Sequence, residues 1–441
     1  MTMRSWLDRT FGLTEKGVTV ETEILAGLTT FLSMAYIVLV NPAILSQAGL
    51  PIVAVAAATC ASAAFASILM GFLANYPLAL APGMGLNAYF TFTVVKGMGV
   101  PWPVALGCVF ISGVTFLLMT FVGIRQMIVN SIPRPLYSAV AGGIGLFIAF
   151  IGLREAGVIV ANPATTVALG NLHSPTPLLA LTGLLVIAVL NIRKVPGAVV
   201  IGILVTAALS WIFGVASFTP QPYNFSDLTE TALKLDIAGA LHIGGNGFGI
   251  LEIIFVFLFV DLFDNVGTLV GVTKEAGLVK PDGTIPRLNR ILMSDSIATI
   301  FGSFLGTSTV TSYVESATGV AAGGRSGLTA VVTGLLFLLV LFFAPYAQII
   351  PAAATAPALI LVGSLMMAPL AEIEWKDPLV ALPCFLTLAG IPLTFSIANG
   401  LAFGLTAYAL LKLISGEANK SDAMLFVLAA LFVFRFAYLA E

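Results

Sequence analysis

Charge is what this 441-residue sequence most lacks: Lys, Arg, Asp and Glu together make up 9% of it. Soluble domains carry about 25%, so a water-exposed globule is excluded and an integral membrane protein is expected. With 19 basic and 21 acidic residues the net charge is only -2, which argues against a nucleic-acid partner. Cysteine is nearly absent too. Cys60, Cys108 and Cys384 lie in apolar runs without CxxC spacing, so they read as small packing residues rather than a disulfide framework or metal site. The two histidines, His173 and His242, fall in polar connections with no partner at metal-ligand spacing. Residues 1–23 are of mixed charge and run into a full-length apolar window, so they read as a cytoplasmic N-terminus rather than a cleavable signal.

What is there is hydrocarbon. Hydrophobic residues make up 59% of the chain and the mean hydropathy is +1.06. Apolar windows of bilayer length appear at 24–44, 52–73, 78–95, 104–122, 137–152, 178–190 and 198–213. A polar stretch, 217–246, divides the chain. After it come 248–273, 291–305, 307–322, 328–343, 356–370, 379–391 and 395–413, with a final apolar segment 423–438 that is either a span or an interfacial helix. With the N-terminus inside, Arg4, Arg9, Lys16, Arg125, Arg134, Arg193, Lys194, Lys274, Lys280, Arg287, Arg290, Arg325, Lys376, Lys412 and Lys420 are cytoplasmic. Only Lys96, Arg154 and Lys234 fall outside, and Arg435 is ambiguous. That bias supports both the span count and the orientation.

Within this apolar background two acids stand out. Asp261 and Asp264 lie in the middle of an apolar helix, where each ionised carboxylate costs about 2.5–3.5 kcal/mol on insertion scales. Spaced i and i+3, they share a helical face and can enter one cavity. The third apolar element of each half is also irregular. Pro77, Pro82, Gly83 and Gly85 interrupt the first, while Thr307–Thr311 is a β-prone run in the second. Each reads as a short strand followed by a half-helix, 84–93 and 313–322. Such backbone is tolerated at membrane depth only where it is buried or lines a cavity. A matched pair points to a midplane site between inverted repeats, and an odd number of spans per half forces the inversion. Two half-helix N-termini would direct free N–H groups at one place. Glu315 at the start of the second and Asn87 in the first add a carboxyl and an amide. With no Lys, Arg or His deep in a span to neutralise three acids, at least one is expected to hold a proton at neutral pH.

Plainer roles stand beside these. Asp264 and Asn265 could form a helix-packing pair, Asn87 an interhelical bond, and Glu315 a helix cap. Asp295 is assigned to an ion pair with Arg287 and Arg290. The glycines of 141–145 suit close helix packing, and Phe90 and Phe263 could stack on a flat ring.

Three stretches, Ala81-Pro-Gly-Met-Gly-Leu-Asn-Ala88, Asp261-Leu-Phe-Asp-Asn-Val-Gly-Thr-Leu269 and Gly306-Thr-Ser-Thr-Val-Thr-Ser-Tyr-Val-Glu-Ser316, resemble the AzgA-like branch of the nucleobase:cation symporter-2 family. So does Asn162-Pro163 after Gly157-Val-Ile-Val-Ala161. The resemblance implies an all-α polytopic fold of 14 spans in two inverted seven-span repeats, 24–214 and 248–441, joined by an extracytoplasmic connection at 215–247. A core domain (24–124 and 248–345) would bind substrate and move against a gate domain (135–214 and 355–438) that often forms a homodimer. It implies uptake of adenine, guanine or hypoxanthine across a plasma membrane, bacterial inner membrane included, driven by protons with no cofactor. The residues carried over are Asn87, Asp261, Asp264 and Glu315; Thr30 and Ser316 complete the expected substrate contacts. Asp264 and Glu315 are assigned to substrate and Asp261 leads for the proton, with all three kept for coupling. The Gln-His pair of the uracil and xanthine/urate branches is absent from the first span, where Thr29, Thr30 and Ser33 stand instead. An anion transporter or channel on the same scaffold is the alternative; an intramembrane aspartyl hydrolase is disfavoured because both aspartates sit on one helix.

Overall fold

In the computed structural model, residues 3–123, 128, 132–217, 224–242, 248–279, 285–419 and 422–438 are described. The expected cytoplasmic cations Arg125, Lys280 and Lys420 lie outside them, as do parts of the 215–247 connection. After a short N-terminal helix, α1 (Met3–Phe11), the first apolar window is broken at Ala35-Tyr36 into α2 (Val20–Met34) and α3 (Ile37–Leu45). The chain continues through α4 (Ile52–Leu73), β1 (Leu80–Pro82), α5 (Met84–Ala88) with a π-helical extension Tyr89–Gly97, and α6 (Trp102–Val122). Then come α7 (Arg134–Glu155), the β2–β3 hairpin (Ile159–Asn162 and Thr166–Leu169), α8 (Pro175–Ile192), α9 (Ala198–Ile212) and the short α10 (Ile237–Leu241). The second half holds α11 (Phe248–Glu275), α12 (Leu288–Leu305), β4 (Val310–Ser312), α13 (Ser316–Ala321), α14 (Gly327–Val340), α15 (Ala352–Leu365), α16 (Pro378–Leu393), α17 (Ile397–Ile414) and α18 (Ala423–Tyr438). Eight helical segments among the described residues are long and apolar enough to cross a membrane.

The all-α expectation needs one addition. The two interruptions do form short strands, but the β2–β3 hairpin had no periodic signal, since its residues alternate only over four positions. Asn162 turns it by accepting from the Ala164 N–H (2.8 Å). The expected second half-helix also starts later than Tyr313, at Ser316, with Glu315 as its N-cap.

Packing in the first half has its counterpart in the second. Helix α4 packs on α14 as α12 packs on α6, and α4 and α12 pack on each other. Helix α7 packs on α15, α16 and α17, while α15 packs on α7, α8 and α9. Glycines set the closest approaches. A Cβ on Gly71 of α4 would lie 2.5 Å from the Gly327 carbonyl of α14, and one on Gly145 of α7 would lie 2.6 Å from the Gly363 carbonyl of α15. The glycine cluster at 141–145 thus serves helix contact, as its small size allows.

At the N-terminal end of the bundle a buried carboxylate has a structural role. Glu23 of α2 accepts from the backbone N–H groups of Arg325 (2.8 Å), Ser326 (3.1 Å) and Thr329 (3.1 Å) and from the Thr329 hydroxyl (2.6 Å). It supplies the acceptors that the first turn of α14 lacks internally. Beside it, Asn75 accepts from the Gly327 N–H (2.7 Å), and its own carbonyl accepts from Lys16 Nζ (3.1 Å). Burial pulls the Lys16 ammonium down to about 8. The C-terminal α18 runs antiparallel to α17. Asp422 pairs with Lys412 at one end (2.8 Å), and Phe436 stacks on Phe403 towards the other (5.6 Å). Phe432 is buried against Phe255 and Phe259 of α11, so α18 is packed into the bundle rather than laid across its end.

Candidate functional site

The site is built where the two interruptions meet. Strands β1 and β4 pair antiparallel, Leu80 opposite Ser312, Ala81 opposite Thr311 and Pro82 opposite Val310. Two strands leave most of their backbone groups without sheet partners, and lipid offers none. Hydroxyls from the flanking helices fill the gap in matched fashion. Ser67 of α4 donates to the Leu80 carbonyl (3.2 Å) and accepts from its N–H (3.0 Å). Thr299 of α12 donates to the Val310 carbonyl (3.0 Å) and accepts from its N–H (3.1 Å). Each strand is therefore bonded on both sides, and the half-helices that follow are held at fixed depth.

Asp264 of α11 reaches the start of the first half-helix. Its Oδ2 lies 3.5 Å from where a Cβ on Gly83, the α5 N-cap, would stand, an ordinary contact distance. The close approach at Gly83 is to Thr311 of β4, whose methyl would lie 2.9 Å from that Cβ. Glu315 stands at the start of the second half-helix but makes no side-chain cap there. Its Oε1 instead accepts from the Tyr36 hydroxyl at 2.5 Å. Tyr36 and Tyr313 are both buried, and both lie within electrostatic reach of Asp264 and Glu315. The Tyr313 hydroxyl donates to the Pro82 carbonyl, tying the second element to the first. Asn87 is fully buried. Its Oδ1 accepts from the Ser308 hydroxyl, and its Nδ2 has no hydrogen-bond partner among the described residues. One acceptor is thus occupied and one buried donor left open.

The structure treats the remaining candidates differently. Asp261 is buried, whereas Asp264 is only partly so; the two acids share a helix without sharing an environment. Asn265 is fully buried, and neither of its amide atoms has a hydrogen-bond partner among the described residues, so the packing pair with Asp264 is not formed. Thr30 is fully buried on the flank of α13, where a Cβ on Gly319 would collide with its hydroxyl. Ser316 is engaged by the scaffold, its Oγ accepting from the Ala79 N–H (3.0 Å). Phe90 is fully buried in the core, and Phe263 packs on Tyr137 (4.6 Å between ring centres).

Asp295 also needs correction. It is wholly buried in α12 and within electrostatic reach of Asp264, while Arg287 donates to the Ala74 carbonyl (3.3 Å). Proximity in sequence to two arginines suggested an ion pair, but the helix turns the carboxyl inward. Sequence reasoning also passed over Tyr36, whose one signal was a phenol in the middle of an otherwise apolar window. Tyr313 lay inside the Gly306–Ser316 motif but drew no role.

Comparison with known proteins agrees with this architecture. The Xan_ur_permease model, described as a permease family, matches residues 21–397. The adenine permease AdeP of Escherichia coli is 45% identical over 433 residues, covering 98% of this chain and 96% of its own. The guanine/hypoxanthine permease PbuG of Bacillus subtilis is 45% identical over 439 residues, covering 97% and 99%. Among solved structures, the transmembrane domain of the cyanobacterial bicarbonate transporter BicA superposes with a TM-score of 0.64 at 14% identity, covering 87% of this chain and 97% of that one. At that identity the likeness concerns the fold. The matched family model and the full-length relatives make this chain a member of the Xan_ur_permease family of membrane permeases.

Proposed function

We propose that the chain is a secondary transporter importing purine nucleobases, adenine or guanine and hypoxanthine, by proton symport. The observation that carries this reading is the set of groups gathered at the two half-helix starts: Asp264 against Gly83, Glu315 held by Tyr36, and the open Asn87 amide. A purine presents ring N–H donors and ring nitrogen or carbonyl acceptors in one plane. Carboxylates answer the former; the Asn87 Nδ2 and the α5 N–H groups answer the latter. The substrates for which AdeP and PbuG are named support the same class. Asp264 and Glu315 take the substrate, Asp261 is the leading proton carrier, and Tyr36 orients Glu315 so that its second oxygen is left for the ligand.

The antiparallel β1–β4 pair and the exchange of packing partners between halves support fourteen spans in two inverted repeats, with α18 as an added membrane-embedded helix. Strands β1 and β4 with α2–α6 and α11–α14 then form the core domain, and α7–α9 with the β2–β3 hairpin and α15–α18 the gate. On this reading the N-terminus is cytoplasmic, the membrane is a bacterial inner membrane, and the gate domain carries any homodimer contact. The fold shared with a bicarbonate transporter raises an anion as a second substrate class. Carboxyl groups around the half-helices disfavour it, since they repel anions at the place where the positive dipole ends would attract them. Uptake of labelled adenine, guanine and hypoxanthine, with and without a protonophore, tests the proposal. Saturable uptake that collapses with the proton gradient is expected, and absence of saturable uptake of all three overturns it.

A further inference from the structure

At the end of the bundle opposite the N-terminus, a second cluster joins two groups of helices. Gln47, just beyond α3, donates to Glu155 Oε1 at the end of α7. The neighbouring Arg154 sets its guanidinium 5.2 Å from the ring centre of Phe92 and 5.2 Å from that of Phe395. Lys96 lies 5.5 Å from the same Phe92 ring, and Glu155 is within electrostatic reach of both cations. Beneath this charged rim the rings close a plug. Phe395 meets Phe92 edge-on (5.7 Å, 87°) and Phe147 likewise (4.8 Å, 84°), with Phe92 and Phe147 both buried. The Thr93 hydroxyl donates to the Phe395 carbonyl at 3.2 Å. Phe395 sits at φ 53°, a left-handed conformation unfavourable for a bulky side chain and sustained only where the surroundings enforce it.

Gln47, Phe92, Thr93 and Lys96 belong to elements that build the site, whereas Phe147, Arg154, Glu155 and Phe395 belong to α7 and the α16–α17 turn. Lys96 on Phe92 is a contact within the first group, and Phe395 on Phe147 and on Arg154 are contacts within the second. Gln47–Glu155, Thr93–Phe395, Phe92–Phe395 and Arg154–Phe92 run from one group to the other. We propose that this cluster is the outer gate of the permease, opening and re-forming in each cycle with Arg154 as its pin. The inference rests on the core-against-gate reading above. Its chemistry suits reversal. Arg154 and Lys96 are exposed at the rim, so water replaces the ring faces when they separate. The buried rings below keep water from the first half-helix while closed. Strain at Phe395 biases the turn to relax when its partners leave.

The test uses a full-length chain with Cys60, Cys108 and Cys384 replaced by alanine and one cysteine introduced by Met84→Cys at the start of α5. Labelling by a membrane-impermeant maleimide is followed from the outer face of right-side-out vesicles. Arg154→Ala and Glu155→Ala are each expected to raise the labelling rate about tenfold, the population shift that follows loss of one charge-assisted contact. Arg9→Ala, at the opposite end, serves as control. Unchanged rates in both gate variants, or an equal rise in the control, overturn the proposal. A second arm does not depend on those variants folding well: the Gln47→Cys/Glu155→Cys pair should form a disulfide on oxidation and lose uptake until reduced. Failure to cross-link, or uptake that survives the cross-link, also overturns it. If the labelling response appears in a chain that takes up no purine, the gate stands and the substrate reading fails. Purine uptake with a flat labelling response overturns the gate and leaves the substrate reading intact.

Discussion

The two interrupted elements use one backbone device and end in different surroundings. In the first, β1, α5 and most of the π-helical extension are buried, and Gly85 lies so close to α7 that a Cβ there would come within 2.6 Å of Ile144. In the second, β4 is equally buried, but Val314 is 52% exposed and Thr318 is exposed as well. The strands are alike because unpaired backbone at membrane depth must be satisfied wherever it occurs. The half-helices differ because α7 lies against the first, whereas Val314 and Thr318 leave the second open to its surroundings. Pseudo-equivalent sequence pieces therefore need not be equivalent in access, and an alternating-access transporter requires that inequality at any one moment.

That contrast breaks most directly at the acids. On the proposed site, Asp264→Asn and Glu315→Gln each remove a carboxyl oxygen assigned to the purine and are expected to lower kcat/KM for uptake about a hundredfold, equivalent to roughly 2.7 kcal/mol. Initial rates of labelled purine uptake at matched membrane expression decide it, and rates within about twofold of wild type in both would remove the cluster from the substrate path. Access comes next. With the native cysteines replaced, Val314→Cys should react with a water-soluble maleimide from the cytoplasmic face more than about tenfold faster than Met84→Cys, as the exposure of Val314 and the burial of Met84 require. Equal reactivity would mean that the two half-helices are equally open.

Tyr36→Phe is a smaller step. It deletes one hydrogen bond to Glu315 while leaving the ring in its buried seat, so KM should rise about tenfold with little change in thermal stability. A loss of stability with unchanged KM would make Tyr36 a packing residue only.

The smallest effect concerns Lys16. Its ammonium, drawn down to about 8 by burial with Glu23, Arg287 and Glu15 around it, binds fewer protons in the folded chain than in the unfolded one between that value and the ordinary lysine range. Stability should therefore rise with pH across that window. Melting curves in detergent should show a Lys16→Met variant gaining less from about pH 8 to about pH 10 than wild type. A slope unchanged by the substitution would contradict the burial of that ammonium.

Much of the architecture was legible because the bilayer is an intolerant solvent. Pro82 with Gly83 and Gly85, and the Thr307–Thr311 run, cannot continue a lipid-facing helix, and β1 and β4 are found at those places. The acids were legible for the same reason. Their partners were not. Tyr36 and Glu315 are 279 residues apart, and nothing in the apolar window around Tyr36 distinguishes a phenol that meets a carboxylate from one at a lipid interface. Ser316 follows Glu315 directly, yet its hydroxyl is spent on the Ala79 N–H. Asp295 was drawn to the arginines near it in sequence, whereas the rotation of α12 turns it towards Asp264.

By itself the sequence determined that this chain lives in a membrane, where its helices break, and that carboxyl groups stand near those breaks. Hydropathy, proline and glycine chemistry and the penalty on charge in hydrocarbon act locally, so they can be read residue by residue. Only the tertiary structure decided which of the acids meets a phenol and which approaches the start of the first half-helix. Those outcomes depend on the approach of α2 to α13 and of α11 to Gly83, distances fixed by glycine contacts and interhelical packing that no local pattern encodes.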